Sequence, residues 1–330
     1  MNLKEFKNND TIAQETMKVM ITVIKEEEAK NGNKYTTLTL QDSSEELSCK
    51  HWSSELIEGN VPAGAIINAT IKKQEFNGTD SYILVNATVL EGEDPANYRN
   101  DFTPSEKTLM KYFNDVLKSL STPYKNIIKE LFNSMKEIFG VDALKNFKIW
   151  PAAINMHHNG QNGLLYHTVG VLRHAKALIQ STEENYDIKL NHDLIYTSII
   201  IHDFFKLKEY DANEVGKGEG TKYSIIGHID MIVGFVASLF YQKKIDEEMY
   251  LQLTHCVAAH HGKEEWGSPV KPSIPEAYII HMADLFDSRM YGFKAEIRKL
   301  DEGKITPKRI MGLDGAYVYN PIDLNKNEAK

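Results

Sequence analysis

The apolar spacing of this 330-residue chain changes period once, near Pro95, and that change restricts it to a β unit followed by a helical one. From Thr16 to about Leu90 the segments MKVMITVIKE, KYTTLTLQD, ELSCKHW, AIINATIKKQEF and SYILVNATVLEG are rich in Val, Ile, Thr and Tyr and partly alternate apolar with polar residues. Five half-buried strands account for them. The breaks NGN at 31–33, DSS at 42–44 and NGTD at 77–80 carry turn chemistry, and SSELIEG at 53–59 is long enough for one or two helical turns.

Five short strands with one inserted helix predict an OB-like barrel, a module that commonly holds oligonucleotides. A small barrel serving dimerisation or domain packing carries the same pattern. The stretch GEDPANYRNDFTP at 92–104 has two prolines and no periodic apolar face, so it reads as a linker. Beyond it KTLMKYFNDVLKSL, PYKNIIKELFNSMKEIFG, LLYHTVGVLRHAKALIQ, HDLIYTSIIIHDFFKL, IIGHIDMIVGFVASLFYQ, MYLQLTHCVAAHH and EAYIIHMADLFDSRMYGF repeat apolar residues at three and four. Ser105 and Thr122-Pro123 mark helix starts. The fold class is therefore α+β, with a five-stranded OB-like nucleic-acid-binding domain at 1–94, an all-α bundle at 95–310, and an irregular tail at 311–330.

A formal charge of -8 argues against a protein that coats nucleic acid over its whole surface, so any such contact is local. The two cysteines, Cys49 and Cys256, are far apart and suggest neither a disulfide framework nor a thiolate metal site. The N-terminus lacks a signal-peptide core, and no apolar run reaches the roughly 18 residues that span a bilayer. A soluble cytoplasmic protein is expected.

Within the helical part, LIYTSIIIHDFFK is a strongly apolar run that ends in a histidine, a carboxylate and a lysine. Burying an ionised aspartate there costs several kcal/mol unless a cation compensates it. His202-Asp203 alone is read more simply as a capping aspartate and a satisfied core histidine at a helix end, but it keeps unusual company. His167 opens one amphipathic segment, His228 stands near a helix start, His260-His261 closes VAAHHG with Gly262 as a candidate cap, and Asp284 sits inside the apolar IIHMADLF. Imidazoles and carboxylates without thiolates suit Mn, Fe, Zn or Mg, and a shared aspartate suits two ions roughly 3.5 to 4 Å apart.

The order H … HD … H … H … D over successive helices resembles the HD-domain metal-dependent phosphohydrolases, across roughly residues 150–290. The chain is more similar still to the YhaM-type 3′-to-5′ exoribonucleases, which join an OB-fold to an HD domain. The stretches WPAAINMHH at 150–158, GLLYHT at 163–168, HHGKEEWGSPVKP at 260–272 and IIHMADLFDS at 279–288 carry that likeness. It implies two divalent ions, manganese first among them: one on His167, His202, Asp203 and Asp284, and a second on Asp203, His228, His260 and His261. In HDFFK, Phe205 stands where the family usually has a small residue, a departure that bears on substrate fit.

A hydroxide shared by two divalent ions is a strong nucleophile at neutral pH, so no nucleophilic side chain is required. The resemblance then implies attack at phosphorus and release of 5′-mononucleotides from single-stranded RNA, or DNA, at the 3′ end. Asp203 and Lys206 are the candidate catalytic pair, because on a helix Lys206 shares their face and can reach a phosphate. Arg289 is a second candidate for phosphate, and His158, with its neighbour His157, either contacts substrate or shapes a loop. Trp52 and Tyr35, with Phe76 and Tyr82, either stack bases or fill the barrel. His174 is expected to face solvent, and His255 and His281 to support the ligands or pack. Hydrolysis of free or cyclic nucleotides, and a non-catalytic adaptor, are the rival readings. A homo-oligomer stays open.

Overall fold

The structure is a computed structural model describing the chain except residues 30–31, 53–60, 77, 100–103, 155–157, 159, 214–216 and 323–330. The chain divides into two compact units, one of Met1–Phe102 with Asn213–Lys217 and one of Thr103–Ala212 with Gly218–Lys330. The segment 53–59, read above as a short helix, lies outside the described residues.

The first unit is the expected barrel. Five strands, β1 (Gln14–Glu28), β2 (Lys34–Gln41), β3 (Glu46–His51), β4 (Ile66–Phe76) and β5 (Thr79–Val89), close in the order β1-β2-β3-β5-β4. All neighbours are antiparallel except β3 and β5, which meet in parallel at Lys50 and Ile83. Alternation does the sorting: Leu38 and Leu40, Leu47 and Cys49, Ile67, Ala69 and Ile71, and Tyr82 and Leu84 fill the interior. The register of β1 shifts between Ile21 and Val23, a bulge that lets one long strand bend between two partners.

A five-residue helix, α1 (Leu3–Lys7), was not expected from the sequence. A capping box between Asn2 and Glu5 starts it, and Leu3 and Phe6 are fully buried in the barrel core. The turn Pro95–Tyr98, read above as linker, is tied to the barrel instead. Tyr98 packs on Met20 and Ile66, and Glu93 pairs with Lys18 at 2.7 Å.

The second unit is built from helices α2 (Glu106–Ser119), α3 (Thr122–Phe139), α4 (Ala143–Ile149), α5 (Gly163–Tyr186), α6 (His192–Ile201), α7 (Lys206–Glu209), α8 (His228–Tyr241), α9 (Glu247–Ala258) and α10 (Pro275–Ile297). A two-stranded hairpin, β6 (Tyr210–Ala212) with β7 (Gly218–Gly220), follows α7. Helix α5 packs against α2, α4, α6 and α10, and α6 is buried on nearly every side by its own Ile and Leu residues. Ser105 caps α2 through Thr108 N–H, whereas Ser121 rather than Thr122 precedes α3. No described helix is long and apolar enough to cross a membrane.

Two expected helix ends move. The apolar run stops at Ile201, and the chain continues through successive turns, Phe204 N–H to Ile201 O and Lys206 N–H to Asp203 O. Helix α9 likewise ends at Ala258 with Ala259 as its cap, before His260 and not at Gly262. Both ends thus place histidines on turns that point back into the bundle. Gly262 has φ +76°, and a Cβ there would fall 2.2 Å from the His281 ring, so only glycine lets the turn and α10 approach.

Candidate metal centre

Five elements deliver side chains to one buried point. His167 comes from the second turn of α5, His202 and Asp203 from the exit of α6, His228 from the first residue of α8, His260 and His261 from the turn after α9, and Asp284 from the middle of α10. Asp203 stands at the centre. Its Oδ2 lies 3.4 Å from His167 Nε2 and 3.3 Å from His202 Nε2, and its Oδ1 3.3 Å from His228 Nε2 and 3.9 Å from His260 Nε2. Asp284 Oδ1 is 3.1 Å from His167 Nε2. His167, His202 and Asp203, then His202, His260 and Asp284, and finally His228, His260 and His261 each offer ligand atoms within 4.8 Å of one another.

Each imidazole is held by its other nitrogen. The Nδ1 of His202 lies 2.6 Å from Ile199 O, that of His260 2.6 Å from Val257 O, and that of His261 2.8 Å from Trp266 O. His167 Nδ1 donates to Asp287 Oδ2 at 2.8 Å and His228 Nδ1 to Glu209 Oε2 at 2.7 Å. A proton fixed on Nδ1 turns the Nε2 lone pair inward, the arrangement a metal requires. The Nε2 atoms of His202, His228 and His260 and Oδ1 of Asp203 are buried without a hydrogen-bond partner. Such atoms cost about 1–3 kcal/mol each when nothing satisfies them. Divalent cations do so, and the donor set fits them.

Charge points the same way. Burial opposes ionisation of Asp203, but His202 and Lys206 beside it hold its carboxyl well below the usual range. Burial likewise drives His260 well below, and His261 below, the ordinary imidazole value, so both stay neutral and able to coordinate. Burial pushes the thiols of Cys49 and Cys256 up to about 12, which leaves them inert.

The other candidate residues divide. Lys206 is 6% exposed, with Nζ 2.7 Å from Asp203 Oδ2, so it is part of the centre and not a solvated helix-end lysine. Phe205 packs against Phe139 and Phe235 in the core. Arg289 is anchored on Gly312 O and on Asp314 at 2.6 Å, and its guanidinium lies over Trp266. His158 is buried, with Nε2 2.8 Å from Asp287 Oδ2, and His174 Nε2 lies 3.6 Å from Asp287 Oδ1. His157 lies outside the described residues. His281 Nδ1 contacts His260 O, and His255 accepts Ser273 N–H, both at distances of 2.8–2.9 Å. In the barrel, Trp52 is 48% exposed, its ring 4.8 Å from that of Tyr35, with Lys50 Nζ over Tyr35. Phe76 is also exposed, while Tyr82 is barrel filling.

Asp287 and Glu209 were missed from the sequence. Asp287 does carry a signal, since it follows Asp284 by three on α10, one turn along the same side. Glu209 carries none: it reaches His228 across 19 residues. Gly170 belongs with Asp287, because a Cβ there would fall 2.0 Å from Asp287 Oδ1.

A helical unit that gathers H … HD … H … H … D around one buried carboxylate is an HD domain, and the family model of that name matches residues 164–289. The likeness to known proteins extends well beyond that unit. The chain is 30% identical to the 3′-5′ exoribonuclease YhaM of Bacillus licheniformis over 297 residues, 89% of this chain and 90% of that one. It is 29% identical to those of Listeria monocytogenes, over 299 residues, and Oceanobacillus iheyensis, over 304, again covering about 90% of each chain. The chain belongs to the YhaM exoribonuclease family.

Proposed function

We propose that this protein is a metal-dependent 3′-to-5′ exoribonuclease that adds water across the terminal P–O3′ bond of single-stranded RNA. Each turn releases a 5′-mononucleotide and leaves a new 3′-hydroxyl. The observation that carries the reading is the convergence on Asp203 of buried Nε2 atoms without partners, in a chain that matches exoribonucleases along nearly its full length. His167, His202, Asp203 and Asp284 would hold one divalent ion, and Asp203, His228, His260 and His261 a second. Bound there, the ions supply Lewis acidity and neutralise phosphate charge.

The chain's own residues do the rest. Asp203 offers one oxygen to each half of the site, and Lys206 fixes that carboxylate while placing a cation beside the phosphate. Hydrogen bonds at Nδ1 hold all five imidazoles with Nε2 turned inward. Tyr35, Trp52 and Lys50 give the barrel an exposed aromatic face with an adjacent cation, suited to stacking bases of a single strand. Arg289, hydrogen-bonded to Gly312 O and Asp314 and lying over the Trp266 ring, supports the wall around that ring. The test is a single-stranded RNA labelled at either end and incubated with Mn²⁺. Label at the 3′ end should appear at once as mononucleotide and 5′ label as a shortening ladder, whereas chelator or Asp203→Ala leaves the RNA intact. Full-length RNA with the wild-type protein and Mn²⁺ would refute the reading, and a matched DNA strand measures the sugar preference.

A further inference from the structure

Of the five imidazoles at the centre, three give Nδ1 to a backbone carbonyl and two give it to a carboxylate. Those two are placed symmetrically. His167 faces Oδ2 of Asp203 at 3.4 Å, backed by Asp287, and His228 faces Oδ1 at 3.3 Å, backed by Glu209. Each half of the site therefore contains one carboxylate-backed histidine.

Both carboxylates are built in. Asp287 is buried, its Oδ2 also meets His158 Nε2 at 2.8 Å, and it fits against α5 only because position 170 is glycine. Glu209 Oε2 takes the Nδ1–H and the backbone N–H of His228 together, at 2.7 and 3.2 Å, so one oxygen fixes the ring and satisfies the first donor of α8. The Glu209 backbone is pinned too, its carbonyl accepting from Thr221 N–H and Ser224 Oγ–H. A carboxylate behind an imidazole enriches Nε2 in electron density, which a carbonyl does less strongly. With Asp203 and Asp284, these two acids bring four carboxylates to the centre, against which stand Lys206 and the charge of the ions.

We infer that Asp287 and Glu209 are positioning residues that separately set the affinity of the two ion sites, Asp287 for the ion on the His167 side and Glu209 for the ion on the His228 side. The inference rests on the reading that Asp203 is shared by two ions.

Asp287→Asn and Glu209→Gln test it, because each keeps the size and one acceptor oxygen and removes only the charge. The full-length protein is stripped of metal, its folding checked by circular dichroism, and titrated with Mn²⁺ alone, with bound ions counted by elemental analysis and spin-coupled pairs followed by electron paramagnetic resonance. Wild type should bind two ions and give a coupled signal. Each variant should weaken one of the two affinities by about 10- to 100-fold, keep the other, and give an uncoupled signal at limiting Mn²⁺. The two variants together should weaken both. Glu209→Gln stands on its own should Asp287→Asn fail to fold. Two unchanged affinities in a folded variant, or joint loss of both ions from one substitution, overturn the inference and leave the shared-aspartate site standing. Fewer than two ions on wild type overturns the two-ion reading itself and the inference with it.

Discussion

Asp203 is 3% exposed, and its charge is supported by His202 and Lys206 beside it and by histidines that arrive from three other segments of chain. Lys206 differs from the rest, as it contributes a positive charge where the histidines contribute lone pairs. Removing it by Lys206→Met should leave Mn²⁺ content at or above the wild-type level, since losing a cation beside Asp203 does not weaken a divalent ion. Turnover on RNA should fall by about 10²-fold, as for loss of one preorganised charge at a reacting phosphate. Elemental analysis beside single-turnover cleavage measures both. At this scale the ligands were legible because their chemistry is out of place: a carboxylate inside IIHMADLF or a histidine after SIII is expensive without a partner. Of their two carboxylate anchors, Asp287 repeats Asp284 one turn along α10, whereas Glu209 is an ordinary polar residue until the fold brings it to His228.

At the scale of elements, the centre depends on how closely α5 and α10 approach, and Gly170 sets that distance. Gly170→Ala places a methyl 2.0 Å from the Asp287 carboxylate and should cost about 1–3 kcal/mol of stability, with a loss of activity larger than the destabilisation accounts for. Denaturant melts and RNA cleavage at a temperature where the variant is folded separate the two. A second tie joins α9 to the start of α10, where His255 Nε2 accepts Ser273 N–H and must be neutral to do so. Burial lowers the His255 pKa in the folded chain, so below the unfolded value of about 6.5 the unfolded state takes up the proton first. Its contribution to stability is therefore full above that pH and is lost as the pH falls. Thermal melts between pH 7.5 and 5.5 should fall less steeply for His255→Gln than for wild type. The strands and long helices were legible from period alone, because alternation and the three-four spacing decide them. The ends of α6 and α9 were not: Phe204 and Phe205 carry the apolar run past Ile201, and after Ala258 no residue before Gly262 marks a stop, so the turns are set by packing around the histidines. Nor was α1, too short for a period and held by Leu3 and Phe6 in the barrel core.

For the whole molecule, the question is how a chain of net charge -8 handles a polyanion. On the proposed reading the helical unit would answer with cations at one buried centre, and the barrel with aromatic faces, whose stacking is nearly independent of charge. Exposed Trp52 beside Tyr35, under Lys50, is the part of the barrel that fits this use. Replacing both rings by Ala removes no ligand of the metal centre and touches none of the barrel's fully buried core. Stacking contributes about 1–3 kcal/mol per base, so the double substitution should raise KM for a long single-stranded RNA by roughly 10- to 100-fold. The turnover number at saturation should change far less, because the ion-binding residues and Lys206 lie in the other unit. Added salt sharpens the test. A contact made mainly by phosphate pairing weakens steeply with ionic strength, whereas one made by stacking keeps a shallower slope. The slope counts phosphate contacts, which the double variant keeps, so KM should rise with salt in parallel for the two proteins, with the double variant displaced upward by the lost stacking; equal KM at every salt concentration would remove Tyr35 and Trp52 from the binding path.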